Sequence, residues 1–454
     1  MKDYLKNNNS RILEELFSLV RIPSVSASVL YKHEIQLCAQ NWVRILLDAG
    51  VDNAQILNTE GNPVVYASKF LNDSFPTILV YGHYDVMPAE PLELWNSKPF
   101  EPEIRDGKIY GRGADDDKGQ SFMHVKAFEY LVKNNSLQCN VKFLFEGEEE
   151  IGSPSLEAFC IENFELLKCD IILVSDTSML SAETPSITTG LRGLAYWQIE
   201  ITSAARDLHS GIFGGAVANP IMELSKILSQ LTNSDGQITI PHFYDKVEKV
   251  SDYERELISK IPFNETEYKH NLKIHEIHGE KGYSTIERTG IRPSLDICGI
   301  WGGYLGEGSK TVLPSKAYAK LSTRLVPNQR YEDIAVIVAD YIKQIAPTYI
   351  DVEVTFLHGA QSYVCPIDSL EYKAAEAAYT KVFGTKPLPV RRGGSIGVIP
   401  IFEKVLSVKP LLLGFGLESD AIHSPNENFP LDLFYKGIET IVEFYYEISS
   451  KLNK

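Results

Sequence analysis

Residues 77–89 read TILVYGHYDVMPA, and the reading of this stretch decides the fold. The apolar run Ile78–Tyr81 stops at Gly82 and is followed at once by His83 and Asp85. Two more stretches are built the same way. In VKFLFEGEEE, residues 141–150, the run Val141–Phe145 gives way to acids that include Glu148, Glu149 and Glu150. In IILVSD, residues 171–176, Ile171–Val174 ends in Ser175 and Asp176. A fourth run, Pro410–Phe415, leads through Gly416 to His423. Short unbroken apolar runs bounded by Gly or polar residues fit strands covered on both faces, as in a parallel sheet. Segments with helical spacing lie between them, near Gly119–Lys133 and Ser155–Leu167. Alternation of strand and helix predicts the α/β class, a mostly parallel sheet flanked by helices.

Outward from this centre, Ser10 is expected to cap a helix over Arg11–Val20, and Ile35–Leu47 reads as a second helix ending near Gly50. The character changes near Gly190. Ala195–Thr202 alternates on two faces, Asn219-Pro220 opens a helix to Leu231, and strand-like Ala317–Leu325 and Val352–Phe356 flank a helix at Tyr331–Ile345. This predicts an α+β unit over residues 190–364, inserted between two parts of the α/β unit at 1–189 and 365–454. The last part closes with helices at Glu371–Phe383 and Leu431–Leu452.

The chain has 454 residues and a net charge of −16, with an ordinary soluble composition. Such acidity disfavours nucleic acid and anionic membrane surfaces as partners. The six cysteines include no CxxC pair and are expected as reduced, mainly buried thiols. The N-terminus runs into Asn7, Asn8 and Asn9 with no apolar signal core, so the cytoplasm is the expected compartment.

In open α/β sheets, functional groups gather beyond the carboxyl ends of the strands. Two imidazoles and several carboxylates should therefore meet at one rim. Acids crowded in this way repel unless cations neutralise them, and a mixture of imidazole and carboxylate suits zinc or a neighbour such as manganese. YGRGADDDKG, residues 110–119, adds more carboxylates at a loop-to-helix junction. A Gly-rich loop in that place can also cradle phosphate; the three aspartates favour a cation instead. Singly these features are weak, since a lone His-x-Asp or a run of acids is most often structural. Their shared placement after apolar strands is what fits a two-metal hydrolase.

The motifs also resemble a known family. GHYDVMPA (82–89), YGRGADDDKGQ (110–120), FEGEEEIGSPS (145–155), LVSDTSML (173–180), DLHSG (207–211), KTVLP (310–314), STRLVPNQ (322–329), RRGGSIGVIPIF (391–402) and HSPNE from His423 are similar to motifs of one family. It is the two-zinc metallopeptidase family that contains carnosinase, cytosolic nonspecific dipeptidase, acetylornithine deacetylase, succinyl-diaminopimelate desuccinylase, aminoacylase and carboxypeptidase G. The later motifs resemble the dipeptidase branch.

The resemblance implies two divalent metal ions per subunit, Zn2+ first and Mn2+ second. His83, Asp116 and Asp176 would hold one; Asp116, Glu150 and His423 would hold the other, with Asp116 bridging. Glu149 would be the general base and Asp85 a partner fixing the His83 ring. Two runs leave the register open by a residue, and Asp-Asp-Lys-Gly selects Asp116 while Glu-Glu-Ile-Gly-Ser selects Glu149 and Glu150. A cis peptide is implied after Asp116.

The inserted unit would be a lid and dimerisation domain, making the protein a homodimer. His209 would reach the partner subunit's site and stabilise an oxyanion, and Arg324 would clamp the substrate carboxylate. Thr311, His358, Gly394 and Ser395 are further substrate-contact candidates. His275 and His278 have metal-like spacing but match no motif and are expected at the surface, as are His33, His124, His242 and His270. The implied activity is hydrolysis of dipeptides or short peptides with a free C-terminus. The alternatives are an N-acyl amino acid deacylase with the same chemistry, or a binding protein that has lost activity.

Overall fold

The computed structural model describes residues 1–394 and 396–452. They form two compact units. The first takes in Met1–Thr189, Cys365–Val390 and Gly397–Lys454, and the second Gly190–Val364 with Arg391–Ile396.

The first unit is built on a mixed sheet. Its strands lie in the order Asn53–Leu57, Val64–Lys69, Asn140–Glu146, Thr77–His83, Ile171–Val174, Pro410–Leu412 and Ser186–Leu191. The central four run parallel, and antiparallel strands close both sides. The centre matches the continuous apolar runs: Ile78–Tyr81 and Ile171–Val174 are buried without a break. The register sets Tyr81 beside both Leu144 and Val174. The three ligand-bearing ends therefore stop at one level.

The helix Leu431–Leu452 buries Phe434, Ile438, Ile441, Tyr445 and Ile448, one apolar stripe at helical spacing. The first helix runs Lys2–Val20, so Ser10 lies inside it and caps nothing. Leu5, Ile12, Leu16 and Leu19 make one buried face, and Asn7, Asn8 and Asn9 fall mostly on the exposed side. The segment Ser155–Leu167 forms two short helices, Leu156–Glu162 and Phe164–Leu167, parted at Asn163.

Glu129 ties this first helix down. Its buried carboxylate meets Lys126 Nζ at 2.6 Å, Arg11 Nη2 at 2.7 Å and the Tyr4 hydroxyl at 2.8 Å, with Lys133 beside it. Burial pushes the carboxyl up, but Lys126 and the other donors outweigh burial and hold it at about 2, below its ordinary 4.5. A depressed folded value stabilises the fold above the unfolded value and is lost as pH falls through the folded one. Glu129→Gln is expected to cost about 3 kcal/mol at neutral pH. It should also flatten the loss of stability between pH 4.5 and about 2. Urea unfolding across that window measures both, and an unchanged acid limb in the variant would contradict the assignment.

The second unit holds an antiparallel sheet in the order Ser294–Gly302, Lys316–Leu325, Gly193–Thr202, Asp351–Ala360. Gly193–Thr202 alternates buried and half-buried residues along its whole length. Its inward set, Ala195, Trp197, Ile199 and Ile201, packs with Leu224 and Ile227 of the helix Pro220–Leu228 and with Ile334, Val338 and Ile342 of Tyr331–Ile345. Asn219 caps the first of these helices, accepting from the amides of Ile221 and Met222, with Pro220 at the first helical position. No described helix is long and apolar enough to cross a membrane. The described cysteines are free thiols; Cys298 is exposed, Cys169 half-buried and the others buried.

Candidate active site

His83 ends the central strand Thr77–His83, where the chain leaves the sheet, and its ring is fully buried. Its Nε2 lies 3.0 Å from Asp116 Oδ1. The other Asp116 oxygen, Oδ2, lies 2.9 Å from His423 Nε2, which is also 3.0 Å from Glu150 Oε2. One carboxylate thus faces two imidazoles, one oxygen to each. Ligand atoms of His83, Asp116 and Asp176 fall within 4.8 Å of one another, as do those of Asp116, Glu150 and His423. Two three-residue groups share Asp116. The sequence assignment named these same groups.

Asp85 connects the parts. Its two carboxylate oxygens accept the backbone N–H of Glu149 at 3.2 Å and of Glu150 at 3.1 Å. Its carbonyl lies 3.1 Å from His83 Nδ1, which fixes the ring so that Nε2 points at Asp116. Glu150 Oε1 accepts from the Met87 amide at 3.1 Å, leaving Oε2 toward His423. The Asp116–Asp117 peptide is cis. Asp117 turns away from the imidazoles' ligand atoms and accepts the His83 amide at 3.1 Å.

The charges show what the site can hold. Burial pushes Glu149 up to about 7, with His83 opposing and Asp116 and Glu150 adding to the rise. Burial and Asp116 likewise push Asp176 well above the carboxylate range. Asp116 behaves oppositely: burial would raise it, but hydrogen bonds with His423 and His83 hold it below its usual value. Those hydrogen bonds, to Asp116 and Glu150, push His423 up to about 10. A field that draws a proton this strongly onto an imidazole would also draw a dication. The donor set of imidazole nitrogen and carboxylate oxygen suits zinc or manganese.

Sequence reasoning assigned no role to Glu427. Its buried carboxylate receives the amides of Gly113 and Asp115 at 3.0 Å and of Asp116 at 3.2 Å, and Arg112 Nη1 at 2.7 Å. It clamps the loop that presents Asp116. The available signal is its place in HSPNE, four residues after His423. Glu148, the first of the three acids before Ile151, is buried too and accepts the Asn62 amide at 2.9 Å. His124 corrects an expectation: it is fully buried, 2.7 Å from Ser175 Oγ, and burial lowers it to about 3. Its helix, Lys118–Lys133, packs against the sheet, so a histidine with surface-like sequence neighbours is enclosed. His33, His242, His270, His275 and His278 are exposed.

The remaining predicted residues lie in the second unit. His209 is exposed and pairs with Val312, next to Thr311, whose carbonyl accepts the Ser210 amide. The His209 Nδ1 accepts the Gly211 amide at 3.0 Å, which leaves Nε2 as the outward nitrogen. Arg324 stands opposite Leu194, and His358 opposite Tyr196, whose ring stacks on it at 5.3 Å. Both project on the face opposite the helix-covered core. Gly394 is exposed. Ser395 lies outside the described residues.

A model of the family described as peptidase family M20/M25/M40 matches residues 79–447. The chain belongs to that family. The Cys-Gly metallodipeptidase of Schizosaccharomyces pombe is 31% identical over 464 residues, covering 99% of this chain and 98% of that protein. A family M20 metallo-carboxypeptidase from Sulfolobus solfataricus superposes with a TM-score of 0.82 at 32% identity, covering 97% of this chain and 99% of that one. Human carnosine dipeptidase 1 gives a TM-score of 0.78 at 28% identity, covering 99% and 98%. The fold class expected from strand and helix alternation is that of these M20 structures.

Proposed function

We propose that this M20 peptidase is a metal-dependent dipeptidase that cleaves dipeptides or short peptides bearing a free C-terminal carboxylate. The observation that carries the reading is the division of Asp116 between His83 and His423, one oxygen to each. His83, Asp116 and Asp176 would hold one divalent ion and Asp116, Glu150 and His423 the other. We favour Zn2+, with Mn2+ second. When bound, the pair supplies Lewis acidity toward the peptide carbonyl and lowers the pKa of water.

The chain's own groups do the rest. Glu149 takes the proton of the attacking water and passes it to the leaving amine, a role its position beside the ligand groups permits. Asp85 holds the His83 ring and both glutamate amides in register. In a homodimer, the outward Nε2 of His209 donates to the oxyanion in the partner's site. Arg324 takes the substrate carboxylate in its planar fork. Thr311, His358 and Gly394 are further candidates for contact with the substrate. The second unit serves as lid and dimerisation domain.

N-acyl amino acid deacylation would use the same groups, but relatives named dipeptidases, matched over most of their length, support peptide cleavage. A substrate panel tests the choice. Dipeptides are compared with longer peptides and with N-acetyl and N-succinyl amino acids, with zinc and manganese loaded separately. Dipeptides are expected to be turned over at least tenfold faster than any acyl amino acid. Preference for the acyl substrates would overturn the reading.

A further inference from the structure

The first unit carries a second concavity, lined by none of the metal-group residues. It is a cavity of about 750 Å³ between the segments Val25–Tyr31 and Pro88–Glu101. Small-molecule sites span roughly 300–1,000 Å³. Tyr31, Trp95 and Phe100 give it aromatic walls, and Leu30 and Leu92 aliphatic ones. At its mouth Leu30 is 84% exposed and Leu92 53% exposed. Nothing in the first unit covers them, and clustered exposed apolar surface of this kind marks a binding site.

The wall is preformed. The Trp95 indole N–H donates to the Ala89 carbonyl at 2.7 Å, and the Arg112 guanidinium lies 5.6 Å from the centre of its ring. The Asn96 amide donates to Asn426 Oδ1 at 2.7 Å, and Asn426 Nδ2 returns a bond to the Leu94 carbonyl at 2.8 Å. A small molecule would bind there without first ordering a loop.

The charges around the cavity decide its class of ligand. Arg112 is matched by Glu427 at 2.7 Å, and Lys98 by Glu101 at 2.7 Å. Glu90, also on the lining, has no hydrogen-bond or ion-pair partner among the described residues. The uncompensated charge is therefore negative, and it sits beside aromatic rings whose faces attract cations. We propose that this cavity is a second ligand site, taking a small molecule with an apolar or aromatic body and one ammonium group.

The test uses 2-phenylethylamine, charged at neutral pH, titrated into the metal-loaded protein and followed by tryptophan fluorescence. 2-Phenylethanol, with the same ring and no charge, is the comparator. The amine is expected to give a saturable change and to bind about fivefold tighter than the alcohol, the scale of an exposed ion pair plus a cation–π contact. Trp95→Leu should remove the fluorescence change. Glu90→Gln, at an exposed position that leaves the fold intact, should cut the amine's advantage over the alcohol from about fivefold to about twofold, the share that the aromatic faces retain. A saturating non-hydrolysable dipeptide analogue should leave the amine titration unmoved. The proposal is overturned by equal binding of amine and alcohol, by an unchanged amine affinity in Glu90→Gln, by competition from the dipeptide analogue, or by no saturable binding. Peptide hydrolysis is not the readout, so this result and the substrate panel succeed or fail separately.

Discussion

Glu149→Gln is expected to lower kcat for dipeptide hydrolysis by about 10³–10⁴-fold, the span of a lost general base, with metal content unchanged. The amide keeps the size of the side chain and removes its ability to accept the water's proton. Two features keep the rest of the site in place. Glu149 belongs to neither ligand group, and its backbone N–H, which the substitution leaves intact, is the part Asp85 holds. The companion variant Asp116→Asn separates the roles. It weakens the one carboxylate that both groups share, so metal content should fall together with activity. Metal analysis of the dialysed proteins beside steady-state kinetics makes the comparison. Near-normal turnover in Glu149→Gln would remove it from the mechanism.

Glu427→Gln is the second large effect, and it falls on stability. The Arg112 and Glu427 side chains are 1% and 0% exposed. Removing one member of a buried ion pair leaves the other charge without its partner, at a cost of about 3–5 kcal/mol. The amide also cannot accept the converging amides of Gly113, Asp115 and Asp116 as well as a carboxylate does. Metal affinity should therefore drop, although Glu427 is not in either ligand group. Chemical denaturation gives the first quantity and chelator competition the second. Wild-type values of both would show that the clamp does not hold the Asp116 loop.

Much of the fold was legible because its signals are local. Ile78–Tyr81 and Ile171–Val174 read as buried strands because each residue in the run is apolar, and the structure buries every one. Asn219-Pro220 read as a helix start because both residues act on their own turn. The Lys2–Val20 helix shows the limit. Ser10 was expected to start it, but the helix begins at Lys2 because Leu5 finds the core and Tyr4 finds Glu129. Asn53–Leu57 carried no strand signal of its own; it exists as a strand because Val64–Lys69 pairs with it. The same pairing logic explains Ser294–Gly302, half exposed and interrupted at Cys298, which follows Lys316–Leu325 through an irregular register.

By itself the sequence determined the chemistry available: which imidazoles and carboxylates terminate apolar strands, and hence which residue types collect at one rim. That follows from strand periodicity and needs no knowledge of distant partners. The strand pattern alone left open how those groups are shared, which the family resemblance implied and the tertiary structure lays out atom by atom. Asp116 gives one oxygen to His83 and the other to His423, because two loops far apart in the chain meet over the same end of the sheet. Only the tertiary structure decided that Glu427 clamps the Asp116 loop, that His124 is enclosed, and that Glu90 is left beside an open aromatic cavity. Each is a property of packing between segments, where the partner, rather than the residue's own neighbours in sequence, sets the charge and the solvent.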